Sequence, residues 1–446
     1  MTTLLAKLRE RLQHLQPADS TLILACSGGS DSQVMLDLVG QLKLKGQIGS
    51  VVAVGVDHGL RPEAKKELEL VGQLAQTYGI PFNILTISLP SHGNLLENAR
   101  EARYAAIRQF AQEFPQPIIS TAHTATDQCE TLVQRLSRGT GLRGAGAIRE
   151  QRGDIIRPLL GITRGEVLVY ANSRSLSFAS DPSNLNRVRT RTRIREDVVP
   201  VLSELNPEAE KHWSRFAGRS ARATDFLNRM AQPLLEEAKG QLDSLNIEVL
   251  QKADPYLREW ALSAWLEMQN LPVENSYIEQ LGYLLGTPGK KMTLGGKVIL
   301  NEANYIWGPA KSPHIRQQLT IGEQFNVPAL GGYLKTHLEG PKKTLISQVK
   351  GPRQVAFDAD RLHLGLEVRP WQAGDRFEPF GLQGSVKIGD LFTNLKIPTP
   401  LREHWPLVVC GEEIIWVVGL RRGAFAPMSK ATTHVLYVEY VGSLVH

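Results

Sequence analysis

"LILACSGGSDSQVMLDLV" (residues 22–39) is an apolar run interrupted by one small, acidic, glycine-rich knot. Leu22, Ile23 and Leu24 predict a strand buried on both faces, as in a parallel sheet. From Gln33 to Val39 the spacing turns helical, with Val34, Leu38 and Val39 on one side and Asp37 off it. Between the two, Gly28 and Gly29 can take positive φ and let backbone N–H groups approach an anion. Those groups stand at a helix start, where the dipole favours negative charge, so a phosphate fits there. Asp31 would repel that phosphate unless a divalent cation stood between them, which predicts Mg²⁺ held by oxygens. The knot lacks G-x-x-x-x-G-K-[ST], and no lysine follows the glycines. A plain strand–helix turn with a serine or aspartate cap is the alternative.

Outward from the knot, residues 20 to about 160 alternate strand and helix signals. Strands are predicted at 50–60, 82–89 and 117–123, with helices at 62–79 and 94–114 between them. Such alternation predicts a doubly wound parallel sheet with ligands at the carboxyl ends of its strands. Residues 196 to about 285 turn helical, with Asp254 as cap and Pro255 in the first turn of one helix. "GKKMTLGGKVILNEANYIWG" (289–308) reads as a hairpin, and from about 313 the pattern is β-rich. The expected domains are 1–212 (α/β), 213–312 (mainly helical) and 313–446 (β-rich).

The chain has 446 residues, 42% hydrophobic and 22% charged, which predicts a globular protein of two to three domains. No apolar segment approaches the ~20 residues that span a bilayer, so no membrane role is expected and cytoplasm is the default. Residues 1–16 form an amphipathic leucine pattern studded with charges, unlike a signal peptide. Cys26, Cys129 and Cys410 stand far apart with no C-x-x-C, which argues against a disulfide framework or a recognisable zinc or iron–sulfur site. Net charge is +6, but residues 135–195 hold thirteen arginines and no lysine against four acids. Arginine's planar fork suits phosphates, so this stretch predicts an RNA-facing surface over a merely solvated one.

Three further clusters fall at predicted strand ends or on the helices beside them. "VDHGLRPEA" (56–64) carries Asp57, His58 and Arg61; "ENAREARY" (97–104) sets Arg100 and Arg103 on one helix face beside Tyr104. "STAHTATDQCETLVQRLSRGTGLRG" (120–144) places Asp127 and Glu130 three apart at a helix start. They could simply cap that helix. Two converging carboxylates also suit a free ammonium group, as counter-ions and as acceptor of its proton when it attacks.

The S-G-G-x-D-S knot resembles the pyrophosphate loop of the N-type ATP pyrophosphatases, the PP-loop family, which splits ATP between its α and β phosphates. D-H-x-L-R, A-R-x-x-R-Y, H-x-x-x-D-Q-x-E-T with R-G-T-G-L, "IRPLLGITRGEV" (156–167) and "DPSNLNRVRTRTRIREDVVPVLSELNP" (181–207) resemble, in order, the tRNA(Ile)-lysidine synthetases of that family. The segment 368–408 resembles their last domain. Ala145, Thr192 and Val386 depart from the family's leucine, asparagine and lysine. The resemblance implies ATP-dependent ligation of L-lysine to the wobble cytidine of tRNA(Ile) with anticodon CAU, through an adenylated cytidine. Decoding would change from AUG to AUA, and from methionine to isoleucine. It implies that Ser27, Gly28, Gly29, Ser30, Asp31, Ser32, Asp57 and His58 bind ATP and that Asp31 holds Mg²⁺. Asp127 and Glu130 would bind lysine, with Asp31 and Arg103 completing the catalytic set. RNA contacts are expected from Arg103, Arg138, Arg189, Arg191, Arg193, Arg195, Arg369, Arg376, Lys387 and Arg402. A thiolase of the same fold would need paired cysteines; a silent tRNA-binding protein would ignore ATP and lysine. A homodimer is left open beside a monomer.

Overall fold

The computed structural model describes residues 3–17, 19–57, 59, 63–87, 95–179, 190–309, 316–340, 351–363 and 365–442. They group into two units, Met1–Phe226 and Leu227–His446. His58, Arg61 and Arg189 lie outside the described residues.

The first unit opens with α1 (Leu4–Leu15), whose Leu8, Leu12 and Leu15 are buried. Strands β1 (Leu22–Ala25), β2 (Val51–Asp57) and β3 (Phe82–Thr86) follow, with α2 (Ser30–Leu44) and α3 (Glu63–Thr77) between them. Next come α4 (Leu95–Ala111), β4 (Ile118–Thr121), α5 (Ala125–Leu136) and α6 (Leu142–Ala145). Short strands β5 (Gln151–Arg152) and β6 (Ile155–Ile156) precede α7 (Arg164–Ser173). The sheet order is β3-β2-β1-β4-β6-β5, parallel except for β5. This is the doubly wound sheet expected, and its order reverses between β1 and β4, where such sheets hold ligands. Leu22, Ile23 and Leu24 are fully buried, each contributing roughly 2 kcal/mol of transfer free energy.

The residue expected off the apolar side of α2 is nevertheless buried. Asp37 is 1% exposed and accepts hydrogen bonds from Tyr78 of the α3–β3 turn, Tyr170 of α7 and Gln41. Burial alone would raise its carboxyl, but these donors and Arg174 hold it below the ordinary range. A charge can sit inside because every lone pair is answered.

After α8 (Thr190–Arg193) one π-helical turn, Ile194–Val198, leads into α9 (Val199–Leu205) and then α10 (Ala209–Ala238). The boundary expected at 212/213 therefore falls inside a helix. In the second unit, α11 (Ile247–Lys252) and α12 (Pro255–Met268) precede α13 (Asn275–Leu285). Asp254 caps α12 and Pro255 starts it, as expected. The predicted hairpin is a three-strand meander: Lys291–Leu294, Lys297–Glu302 and Tyr305–Trp307, extended by Leu245–Asn246. Gly295–Gly296 and Ala303–Asn304 both turn with positive φ, the geometry that tight hairpins require. The β-rich end forms a five-stranded and a four-stranded sheet around Trp405, Trp416, Phe357 and Phe392.

Candidate active site

The knot follows β1 and turns at Gly28, whose φ is +82°; Gly29 instead has φ −74° and is the N-cap of α2. Only one of the two glycines therefore uses its freedom. A Cβ on Gly28 would also stand 2.8 Å from the Glu67 carbonyl oxygen. Ser32 ties the loop, its hydroxyl donating to the Gly29 carbonyl (2.9 Å) and accepting from the Ser27 amide (3.3 Å). Among the described residues, the amides of Gly28, Gly29, Ser30 and Asp31 find no acceptor in the chain. Four N–H groups thus converge at a helix start with nothing to bind. Gly28→Ala should destabilise the fold by the ~1–2 kcal/mol of a left-handed alanine plus the carbonyl clash, read as a lowered melting temperature, and it should weaken ATP binding, readable by titration.

Asp31 sits in the first turn of α2. Burial, and then the charge of Asp127, push its carboxyl up to about 6, against the pull of Arg164 and Arg195. A carboxylate so disfavoured as an anion gains from a cation, which fits the oxygen-ligated Mg²⁺ expected here.

Across the switch point, Thr124 caps α5 in a capping box with Asp127. The Thr124 amide and hydroxyl donate to Asp127 Oδ2 at 2.7 and 2.9 Å. Oδ1 is left for another partner. Arg191 supplies it, with Nη2 at 2.6 Å, while its Nε donates to Glu130 Oε2 at 2.6 Å. Arg195 closes the box from Nε to Glu130 Oε1 (2.5 Å) and from Nη2 to Oε2 (3.1 Å). Glu130 is wholly buried. Burial would raise the Asp127 carboxyl, but Arg191, His123 and the Thr124 bonds hold it low. Desolvation pushes His123 down to about 4, against the pull of Asp127.

The arginine run is not a single face. Arg191 and Arg195, expected to contact RNA, turn inward onto the acidic pair. Arg135 braces the Gly144 and Ala147 carbonyls, Arg149 pairs with Asp225, and Arg174 reaches Asp37. Arg138 and Arg193 are exposed. Arg103 stands on α4 beside Tyr104, over whose ring the Arg100 guanidinium lies at 5.2 Å. Asp57 is buried and caps the turn after β2, accepting from the Gly59 amide at 2.8 Å. In the second unit Arg369 forms a fork with Asp375, both bonds 2.8 Å. Arg376 and Arg402 bond to nearby loop oxygens, and Lys387 is exposed. Sequence reading missed Arg164 and the inward role of Arg191 and Arg195, because charge counting carries no direction. The three cysteines are unpaired and buried, and burial pushes the Cys26 and Cys129 thiols up to about 12. Neither is poised as a sulfur carrier.

Comparison with known proteins now bears on this geometry. Residues 3–202 match the PP-loop domain, and residues 366–438 match the TilS substrate C-terminal domain. The chain thus carries a PP-loop domain followed by a TilS-type C-terminal domain. It is 28% identical to the tRNA(Ile)-lysidine synthase of Caldanaerobacter subterraneus, over 95% of this chain and 94% of that protein. The same identity links it to the tRNA(Ile)-lysidine synthase of Bacteroides thetaiotaomicron, over 96% of this chain and 97% of the relative. A crystal structure of a TilS C-terminal domain aligns with 29% of this chain and 96% of its own, at 25% identity and TM-score 0.26. This PP-loop protein is thus an ATP-using ligase with a TilS-type C-terminal domain, as the ordered signatures lead one to expect. No helix among its described residues is long and apolar enough to cross a membrane.

Proposed function

We propose that this PP-loop ligase joins lysine to the wobble cytidine of tRNA(Ile) with anticodon CAU. Its relatives bear the name tRNA(Ile)-lysidine synthase over nearly the whole chain. The observation that carries the reading is the row of acceptor-free amides, Gly28 to Asp31, beside an acidic pair that already grips a cation.

The amides and the Ser27, Ser30 and Ser32 hydroxyls receive the β,γ end of ATP. Asp31 holds Mg²⁺, which, when bound, offsets charge on the departing pyrophosphate. The cytidine 2-carbonyl oxygen bonds to the α-phosphorus and pyrophosphate leaves. The lysine ε-amine then bonds to C2, the C2–O bond to AMP breaks, and the amine proton passes to Asp127. In the described fold, Arg191 occupies the position that suits an ammonium, between Asp127 Oδ1 and Glu130 Oε2. Lysine takes over the Asp127 edge, while buried Glu130 keeps Arg195. The looped-out cytidine can reach this edge because unpaired bases splay readily.

RNA is gripped by cations that have no carboxylate partner among the described residues. Arg138 is one; Arg215, Arg219 and Arg222 form an exposed stripe on α10 that continues to Phe226, 53% exposed. Guanidinium forks with an aromatic ring suit a backbone and its bases. Replacing Arg219 and Arg222 by Ala should weaken tRNA binding and flatten its log–log salt slope by about 2, with ATP affinity unchanged.

The deciding experiment is incubation with ATP, lysine and tRNA(Ile), following AMP release. Lysine-dependent AMP supports the reading. tRNA binding that ignores ATP and lysine, with no AMP, overturns it.

A further inference from the structure

One buried charge in the first unit has no place in the chemistry above. Arg157 directly follows β6, which runs parallel to β4 with Ser120 opposite Ile156. It therefore leaves the sheet at its carboxyl edge, level with Thr121 and close to the switch point. Arg157 is 5% exposed. One Nη donates to the Arg149 carbonyl at 2.7 Å, Tyr104 hydrogen-bonds the guanidinium, and the buried Nε–H has no acceptor. The Tyr104 ring carries Arg100 on its face. Among the described residues no carboxylate pairs with Arg157 or Arg100; the groups acting most strongly on Arg157 are Tyr104, Arg100 and Arg152. His123, whose other side meets Asp127, feels both Arg157 and Arg100.

A buried guanidinium held by neutral acceptors alone is costly. Arginine is also the side chain whose fork fits phosphate oxygens. We propose that Arg157, with Arg100 and Tyr104, forms a second anion pocket beside the catalytic centre, taking the phosphate ester oxygens of a substrate. The Nε–H without an acceptor shows that the described chain does not by itself satisfy this guanidinium. Two sources share this chemistry, the α-phosphate of ATP and a backbone phosphate flanking the target cytidine. The choice between them rests on the function proposed above; the pocket itself does not.

The test uses the full-length protein with Arg157→Met, Arg157→Lys and Arg100→Ala. ATP affinity is measured without tRNA, and tRNA affinity without ATP across a salt series, so neither depends on lysidine formation. Failure of the wild type to make lysidine would thus be a separate result. Arg157→Met should weaken one ligand by roughly tenfold or more and leave the other near wild type. Its melting temperature should be unchanged or raised, because an uncompensated buried charge has gone. Lysine at 157 should recover part of the affinity. Selective loss of ATP assigns the nucleotide; selective loss of tRNA, with a salt slope lower by about 1, assigns the RNA backbone. If Arg157→Met does not fold, exposed Arg100→Ala carries the same comparison with a smaller selective loss. Unchanged affinities in the soluble variants overturn the proposal, as does parallel loss of both ligands with a lowered melting temperature.

Discussion

Asp31→Ala should lower lysine-dependent AMP release by about three orders of magnitude, with Asp31→Asn nearly as severe. On the proposed chemistry the knot would offer the leaving pyrophosphate four amides and several hydroxyls but one carboxylate, the anionic ligand that a divalent cation absorbing the developing charge would need. The loss need not come from unfolding. Burial and Asp127 push the Asp31 carboxyl up to about 6, so the fold prefers it protonated. That preference stabilises the protein below the unfolded-state value near 3.8 and is lost as pH rises through about 6. At pH 8 the ionised side chain is a burden on the fold, and Asp31→Asn should melt at or above the wild-type temperature while remaining inactive. In the wild type, protons compete with the cation, so affinity for Mg²⁺–ATP should fall as pH drops through about 6. Calorimetric titration at pH 5, 6, 7 and 8 reads this directly. A flat profile, or an Asp31→Asn protein that turns over normally, would remove Asp31 from the mechanism.

What the sequence revealed and what it hid divide along one physical line. Local rules were enough where a residue's role depends on its neighbours in the chain. The run Leu22–Leu24, the Gly28 turn and the Asp254–Pro255 start of α12 are of this kind, and so is the parallel sheet, since βα alternation leaves little choice of topology. The site was partly legible for the same reason: Asp127 and Glu130 are three apart on one helix, so their convergence follows from helical geometry. Partners distant in sequence were not legible. Nothing in residues 135–195 says that Arg191 and Arg195 point at Glu130, sixty residues away, while Arg138 points outward. Net charge in a window predicts potential, not direction. Asp37 fails in the same way, because its donors Tyr78 and Tyr170 arrive from α3's turn and α7. The two readings weighed for Asp127, cap or counter-ion, do not exclude each other: Oδ2 caps the helix, and Oδ1 faces the Arg191 guanidinium.

Glu130→Gln is the substitution with the largest expected effect on the fold, and its physics differs from that of Asp31. Glu130 is 0% exposed and receives three bonds from two guanidinium groups. Gln keeps the volume but not the charge, and it places an N–H₂ donor against donors. Breaking a buried pair from one side costs about 3–5 kcal/mol. For a unit of this size each kcal/mol shifts melting by roughly 2–4 °C, so the transition should fall by roughly 6–20 °C. Activity should fall too, chiefly in kcat, because Arg191 and Arg195 lose the anchor that sets their distance from Asp127 and Asp31. Asp127→Ala should act mainly on the lysine KM, since its Oδ1 is the edge that meets the incoming amine. A double-mutant cycle separates the terms: adding Arg195→Gln to Glu130→Gln removes the orphaned cation and should restore part of the stability without restoring turnover. If stability and turnover return together, the box is only a brace. If Glu130→Gln melts with the wild type, the two arginines have other anchors, and the charge pairing between α5 and residues 191–195 does not hold the site.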